Sequence, residues 1–205
     1  MKQIITIQHT QSIQHLNGMV GSWTDWELTE LGLLHAKNIG RNLSAELLGK
    51  EIKVYCSDLV RTKQTAAPLL ECLGLEAEYR KELRELNLGE ACGKSMKWMR
   101  ENGAEVKTID DRPFPSAESS RDVWNRIYAF CEEIISSPFE NIVIVSHGHI
   151  LRMWPAVWLN LGIDFMDKAD FYGSAGGVSF MALTDNGKRN LTRFNDTSYR
   201  QDAAI

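Results

Sequence analysis

Two histidines stand where chemistry could be done. His9 directly follows the apolar, β-branched run QIITIQ, and His147 closes the run NIVIVS. Ser57, Asp58 and Arg61 follow a third such segment, EIKVYC, and Glu85 lies in the charged stretch YRKELREL. These residue types suit phosphoryl transfer. A neutral imidazole can attack phosphorus and form a phosphohistidine, which splits one hard step into two. A guanidinium such as that of Arg61 can match the charge on the equatorial oxygens bidentately. A second histidine can hydrogen-bond to the same oxygens. A carboxylic acid must protonate the leaving oxygen and later deprotonate the attacking water, and Glu85 is the first candidate. The scheme calls for no cofactor and no metal. Taken singly, each residue also has a plainer reading: a satisfied loop histidine, a surface ion-pair arginine, a solvated glutamate. His147-Gly148-His149 has the HxH form of a metal site, but the first histidine follows a strand and the second enters a helix. There is no P-loop and no dinucleotide fingerprint.

Such residues can act together only if the fold brings them together. Residues 3–8, 51–56 and 141–146 read as strands, and the last, apolar throughout, as a central parallel strand covered on both faces. Thr29 can cap a helix running to about Leu47, with Ala36, Ile39, Leu43 and Leu47 on one face. A second helix is expected over 59–73, where Pro68 fits only in a first turn or at a kink. A third, over 119–136, carries Val123, Ile127, Phe130 and Ile134. A fourth begins after Gly148 and bends near Pro155. Residues 177–184 and 190–195 flank the turn Asp185-Asn186-Gly187-Lys188, a hairpin signal at a sheet edge. The stretch from about 80 to 117 is a lid-like excursion with one or two short helices. Its Met96, Trp98, Met99, Arg100 and Lys107, with Trp23 and Trp26 of the first loop, could face a substrate or simply pack the excursion. The pattern is a single α/β domain over 1–205, a three-layer α/β/α sandwich around a mainly parallel sheet. In such sheets ligands bind beyond the carboxyl ends of the strands, where His9, Ser57 and His147 fall.

Composition removes other classes. The 205 residues carry 23 Lys and Arg against 27 Asp and Glu, a formal net charge of -4, which gives no reason to expect a nucleic-acid partner. No apolar stretch approaches membrane-spanning length, and the polar start MKQIITIQH does not read as a signal peptide. The four cysteines form no CxxC pair and read as reduced thiols of a cytoplasmic protein. The expected partner is a small phosphorylated metabolite. The hairpin and the helix bearing Trp154 and Trp158 offer surface for a homodimer.

In order and spacing, these segments resemble the histidine phosphatase superfamily, in its phosphoglycerate mutase-like branch. Gln8-His9-Thr10 stands at the family's Arg-His-Gly. Asp25-Trp26-Glu27-Leu28-Thr29-Glu30-Leu31-Gly32 looks like its D-x-x-LT-x-x-G segment. Ser57-Asp58-Leu59-Val60-Arg61-Thr62-Lys63-Gln64-Thr65-Ala66 is close to its S-D-L-x-R-T-x-Q-T-A segment. Leu83-Arg84-Glu85-Leu86-Asn87-Leu88-Gly89 matches L-x-E-x-x-x-G, Ala117-Glu118-Ser119 resembles G-E-S, and Ser146-His147-Gly148 matches the second histidine motif. The resemblance implies a phosphoglycerate mutase-like fold. It makes His9 the nucleophile, Arg61 a phosphate clamp, His147 the second pocket histidine and Glu85 the proton donor. Gln8, Ser12, His15, Asn17, Ser57 and Gly148 become phosphate- or substrate-binding candidates.

The first motif departs from the family pattern. Gln8 replaces an arginine, Thr10 a glycine, and His15 an asparagine, with Asn17 two residues further on. Losing a cation costs transition-state stabilisation of about 3 kcal/mol if nothing replaces it. A His15 that becomes protonated when phosphate binds would restore part of that charge. The expected activity is metal-independent phosphomonoester hydrolysis through a phosphohistidine. The alternatives are phosphoglycerate mutase-type transfer, which the short excursion disfavours, or a catalytically impaired protein that binds a phosphorylated ligand or a partner.

Overall fold

The computed structural model describes residues 1–201. Six strands form one sheet in the order β3-β2-β4-β1-β5-β6. They are β1 (Lys2–Gln8), β2 (Ile52–Cys56), β3 (Ala77–Tyr79), β4 (Asn141–Ser146), β5 (Val178–Leu183) and β6 (Arg189–Asp196). β4 lies between β1 and β2 and is parallel to both, as its unbroken apolar run implied. β2 and β3 are also parallel, while β5 and β6 form the antiparallel hairpin at the far edge.

The helices α1 (Glu30–Leu47), α2 (Val60–Leu73), α3 (Met96–Asn102), α4 (Ser120–Ser136) and α5 (Gly148–Trp158) complete the fold. Strand alternation splits the interior into two cores. Ile5, Ile7, Val143 and Val145 face Ile39, Leu43 and Leu69 of α1 and α2. Ile4, Ile142 and Ile144 face Ile127, Phe130 and Trp154 of α4 and α5. Right-handed crossovers account for this division. Among the parallel strands, the chain moves in one direction across the sheet from β1 to β2 to β3, and in the other from β3 to β4. Connections with opposite directions must cover opposite faces. The neighbouring ends of β1 and β4 therefore open a crevice between diverging helices, the usual place for a ligand.

Local sequence sets the helix starts. The Thr29 hydroxyl accepts the Gly32 N–H at 3.0 Å, and Ser119 and Asp122 form a capping box ahead of α4. Pro68 lies in the interior of α2, beyond its first turn. The ring removes the donor that would satisfy the Gln64 carbonyl. Packing compensates: a Cβ on Gly40 would stand 2.8 Å from the Pro68 Cβ, so α1 and α2 touch backbone to backbone there. The excursion contains α3, two 3-10 turns and its own small core of Val20, Ala91, Phe114 and Ala117. Trp98 stacks on Phe114 in that core, with ring centroids 5.5 Å apart. β3 was not anticipated; three residues are too few to show alternation. All four cysteines are free thiols. Among the described residues, no helix is long and apolar enough to cross a membrane.

Candidate active site

The register pairs Gln8 with Ser146, so His9 and His147 leave adjacent strands side by side. Their rings meet edge to face, with centroids 5.2 Å apart. Both are buried. His9 Nδ1 lies 2.8 Å from the Thr10 carbonyl oxygen. A carbonyl can only accept, so Nδ1 carries the proton and Nε2 keeps its lone pair. Burial, then the nearby Arg61 charge, holds the His9 pKa well below the ordinary histidine value. Burial, Arg61 and His9 do the same to His147. Both rings are therefore neutral at pH 7. His147 Nε2 lies 2.8 Å from Ser57 Oγ, and its Nδ1 is buried with no protein partner.

Arg61, in the first turn of α2, is fully buried. Its two terminal nitrogens donate to the carbonyls of Thr24 (2.7 Å) and Ser22 (2.8 Å), and its Nε has no protein partner. Burial lowers its pKa to about 10, against the pull of Glu85 and Asp25, so it stays cationic at pH 7. The guanidinium is thus braced against the first loop, with its remaining N–H donors unspent.

Glu85 comes from the excursion. Its carboxylate accepts the Leu86 N–H at 2.9 Å and, at a longer 3.4 Å, the His149 N–H. Its backbone carbonyl accepts Trp23 Nε1 (2.7 Å) and Arg126 Nη2 (3.1 Å). Trp23 lies under the Arg84 guanidinium, 4.8 Å from ring centre, and Arg84 forks onto Asp58 at 2.6 and 2.7 Å. A chain of contacts from the end of β2 thereby fixes the acid relative to the sheet.

A cavity of about 290 Å³ is lined by Gln8, His9, His15, Arg61, Glu85 and Gly148, with Met96 and Met99 of α3 on its wall. His147, Ser57 and Ser12 do not line it and are fully buried. Asn17 is exposed and outside the lining; its side-chain oxygen accepts the Met19 N–H. Trp98 packs inside the excursion. Gln14, Leu86 and His149 also line the cavity and were not among the sequence candidates. The sequence signal for His149 was the HxH pattern, which points toward metals rather than toward this wall. Among the described residues no three His, Cys, Asp or Glu gather as a metal-binding group.

The departures from the family motif have local explanations. Thr10 is fully buried, and its hydroxyl donates to the Gly32 carbonyl at 2.8 Å. Gly32 is itself fixed by contact, since a Cβ there would lie 2.0 Å from the Gln11 carbonyl oxygen. The Gln8 carboxamide fits between two glycines: Cβ atoms on Gly148 and Gly173 would stand 3.3 Å from its Nε2 and Oε1. His15 stacks on His9, with centroids 5.5 Å apart. Its Nδ1 accepts the Ser12 N–H at 2.9 Å, so the ring is the neutral Nε2–H tautomer. Burial and Arg61 lower its pKa, with Glu85 opposing. The imidazolium expected from the sequence would have to surrender the Ser12 bond.

The family model for the histidine phosphatase superfamily (branch 1) matches residues 4–197. The chain belongs to that superfamily. This histidine phosphatase chain is 29% identical over 170 residues to a candidate phosphoserine phosphatase of Hydrogenobacter thermophilus, covering 80% of this chain and 82% of that one. It is 31% identical over 160 residues to the 2,3-bisphosphoglycerate-dependent phosphoglycerate mutase of Nitrobacter hamburgensis, covering 73% and 77%. Among solved structures, the α-ribazole phosphatase of Shigella flexneri superposes with a TM-score of 0.82 at 20% identity, covering 99% of each chain. A mycobacterial glucosyl-3-phosphoglycerate phosphatase gives 0.78 at 20% identity, covering 95% and 98%. These last two likenesses speak to the fold, the phosphoglycerate mutase-like sandwich expected from the sequence. The expectation of a phosphatase of the histidine phosphatase type agrees with the family and with the phosphatases among its relatives.

Proposed function

We propose that this chain hydrolyses a phosphomonoester through a phosphohistidine on His9. One observation carries the reading: His9, neutral and with Nε2 unprotonated, lines the same cavity as Arg61 and Glu85. His9 Nε2 attacks phosphorus in line with the ester oxygen, and the P–O bond to the alcohol breaks as the P–N bond forms. The Nδ1–H bond to Thr10 orients the ring and stabilises the positive charge it acquires. Arg61 binds the equatorial oxygens with its unspent N–H groups. Its carbonyl anchors keep it in place, so little reorganisation accompanies the reaction. His147, held by Ser57, packs edge to face against the His9 ring and keeps the nucleophile in place. The Glu85 carboxylic acid gives its proton to the departing alkoxide. Its carboxylate then takes a proton from water as that water attacks phosphorus, and phosphate leaves while His9 returns to its neutral form.

The test is phosphate release from a broad panel of phosphomonoesters by the wild-type protein and by His9→Ala. Turnover that disappears in a folded His9→Ala variant supports the reading. Turnover retained by that variant sinks it. Conversion of 3-phosphoglycerate into 2-phosphoglycerate in place of hydrolysis would replace hydrolase with mutase.

A further inference from the structure

Beside the catalytic cavity lies a second one of about 540 Å³, walled by the C-terminal end of α3, the loop that follows it and the starts of α4 and α5. The two share Leu86, Leu88, Met99 and His149 as a common wall. His149 is the one titratable side chain of that common wall. Its Nε2 is buried and has no hydrogen-bond partner in the protein. Such a nitrogen costs free energy unless something bonds to it. The catalytic cavity alone, at about 290 Å³, is at the small end of ligand pockets. The second cavity is nearly twice its volume and belongs to no other step of the chemistry.

The chemistry of its wall narrows what fits. Leu86, Leu88, Met99, Val106 and Pro113 give it an apolar surface. Its carboxylates are those of Glu105, Asp111 and Glu118, against the single guanidinium of Arg100 among the described lining residues. Glu118 is neutralised by Arg126 at 2.9 and 3.0 Å, and Glu105 pairs with Lys107 at 3.0 Å. Asp111 accepts the N–H groups of Lys107 and Thr108. The carboxylates of the wall are thus each bonded within the protein, Arg100 is its one guanidinium among the described residues, and the rest of the surface is largely apolar.

We infer that the substrate's leaving group is a bulky, largely apolar alcohol that passes His149 into this second cavity. The inference rests on the phosphatase reading and sharpens it. His149 Nε2 bonds to a polar atom near the ester, and the Leu86, Leu88 and Met99 side chains cover the apolar part. Short, acidic esters such as phosphoglycerates leave the second cavity unfilled.

Binding of non-hydrolysable phosphonates tests this without relying on turnover. Calorimetry compares methylphosphonate, carboxymethylphosphonate and 2-naphthylmethylphosphonate on the full chain. The naphthyl compound is expected to bind at least about tenfold tighter than the methyl one, and the carboxymethyl compound no tighter. Ala104→Phe and Val106→Trp each place bulk in the second cavity, and both positions are exposed, so the fold should persist, as thermal melts would verify. Each variant is expected to shrink the naphthyl-to-methyl ratio several-fold. Equal affinities for the three compounds, or a ratio that neither variant changes, would overturn the inference. Phosphate release from the corresponding esters is measured alongside. A preserved binding ratio with no release would remove hydrolysis and leave the ligand class standing, so the two readings fail separately.

Discussion

Gln8→Arg should raise activity, and the size of the gain can be worked out. Gln8 ends β1, one residue before the nucleophile, and lines the cavity. A guanidinium there would stand on the order of 5 Å from a phosphoryl group on His9, and at an effective dielectric constant of about 20 the attraction is roughly 3 kcal/mol. That agrees with the cost of removing one donor that faces a developing negative charge, about 3 kcal/mol. Only the part that strengthens in the transition state reaches kcat, so the expected rise is about 10- to 100-fold. Gly148 and Gly173 flank the carboxamide and set no side chain in the way of a longer residue there. The added cation lies near Arg61, His9 and His15, so a modest fall in thermal stability should accompany the gain. The assay is steady-state hydrolysis of one good substrate by wild type, Gln8→Arg, His9→Ala and the double variant. The double variant should be as inactive as His9→Ala. A folded Gln8→Arg protein with unchanged or reduced kcat would refute the reasoning, because it would mean that Gln8 is not standing in a vacant cationic position.

Glu85→Gln keeps the size and, through its one amide oxygen, the bond from the Leu86 N–H, but it gives up the longer bond from the His149 N–H and cannot donate an acidic proton. It should lower kcat/KM, which reports the phosphorylation of His9, by about 10²- to 10⁴-fold for alkyl phosphates and much less for p-nitrophenyl phosphate, whose leaving group needs no proton. Equal losses on both would remove Glu85 from the proton-donor role. The buried histidines also set a pH dependence. His9 and His147 have folded-state pKa values below the ordinary 6.5, so below that pH the unfolded chain binds more protons than the folded one. Stability should therefore be full above about pH 6.5 and fall as pH drops, by up to about 1.4 kcal/mol per unit for each ring. Urea midpoints between pH 7.5 and 5.5 measure it, and His147→Gln should flatten the slope if it folds. A wild-type midpoint that is flat across this range would contradict the neutral, buried assignment.

Much of this site was legible in the sequence because its parts sit at strand ends. The runs before His9 and His147 are long enough to declare strands, and the family-like order of motifs tied Arg61 and Glu85 to them. The glycine of the LT-x-x-G segment also has a reason that pattern alone could not give: Gly32 is pressed against the Gln11 carbonyl. Other features depend on contacts distant in sequence. Ser57 bonds to His147 across ninety positions, and Trp23 reaches the Glu85 carbonyl from the first loop. Nothing local marks either pair. β3 escaped because three residues carry no periodicity, and Pro68 was hard to seat because its tolerance comes from Gly40 on another helix. For His15 the structure adds a single backbone N–H, that of Ser12, which occupies Nδ1 and would have to be released for the ring to gain its charge when phosphate binds. His149 was visible as half of an HxH pair, but only the cavity walls reveal which way it serves.

The most direct measurement is to trap the intermediate. The protein is mixed with a rapidly hydrolysed phosphomonoester, quenched in base within the first turnovers, and examined by peptide mass spectrometry. The expected result is one acid-labile, base-stable phosphoryl group on His9, absent from His9→Ala and accumulating when Glu85→Gln slows its hydrolysis. Turnover with no phosphoryl group on His9, or with one on a different residue, would contradict the phosphohistidine mechanism.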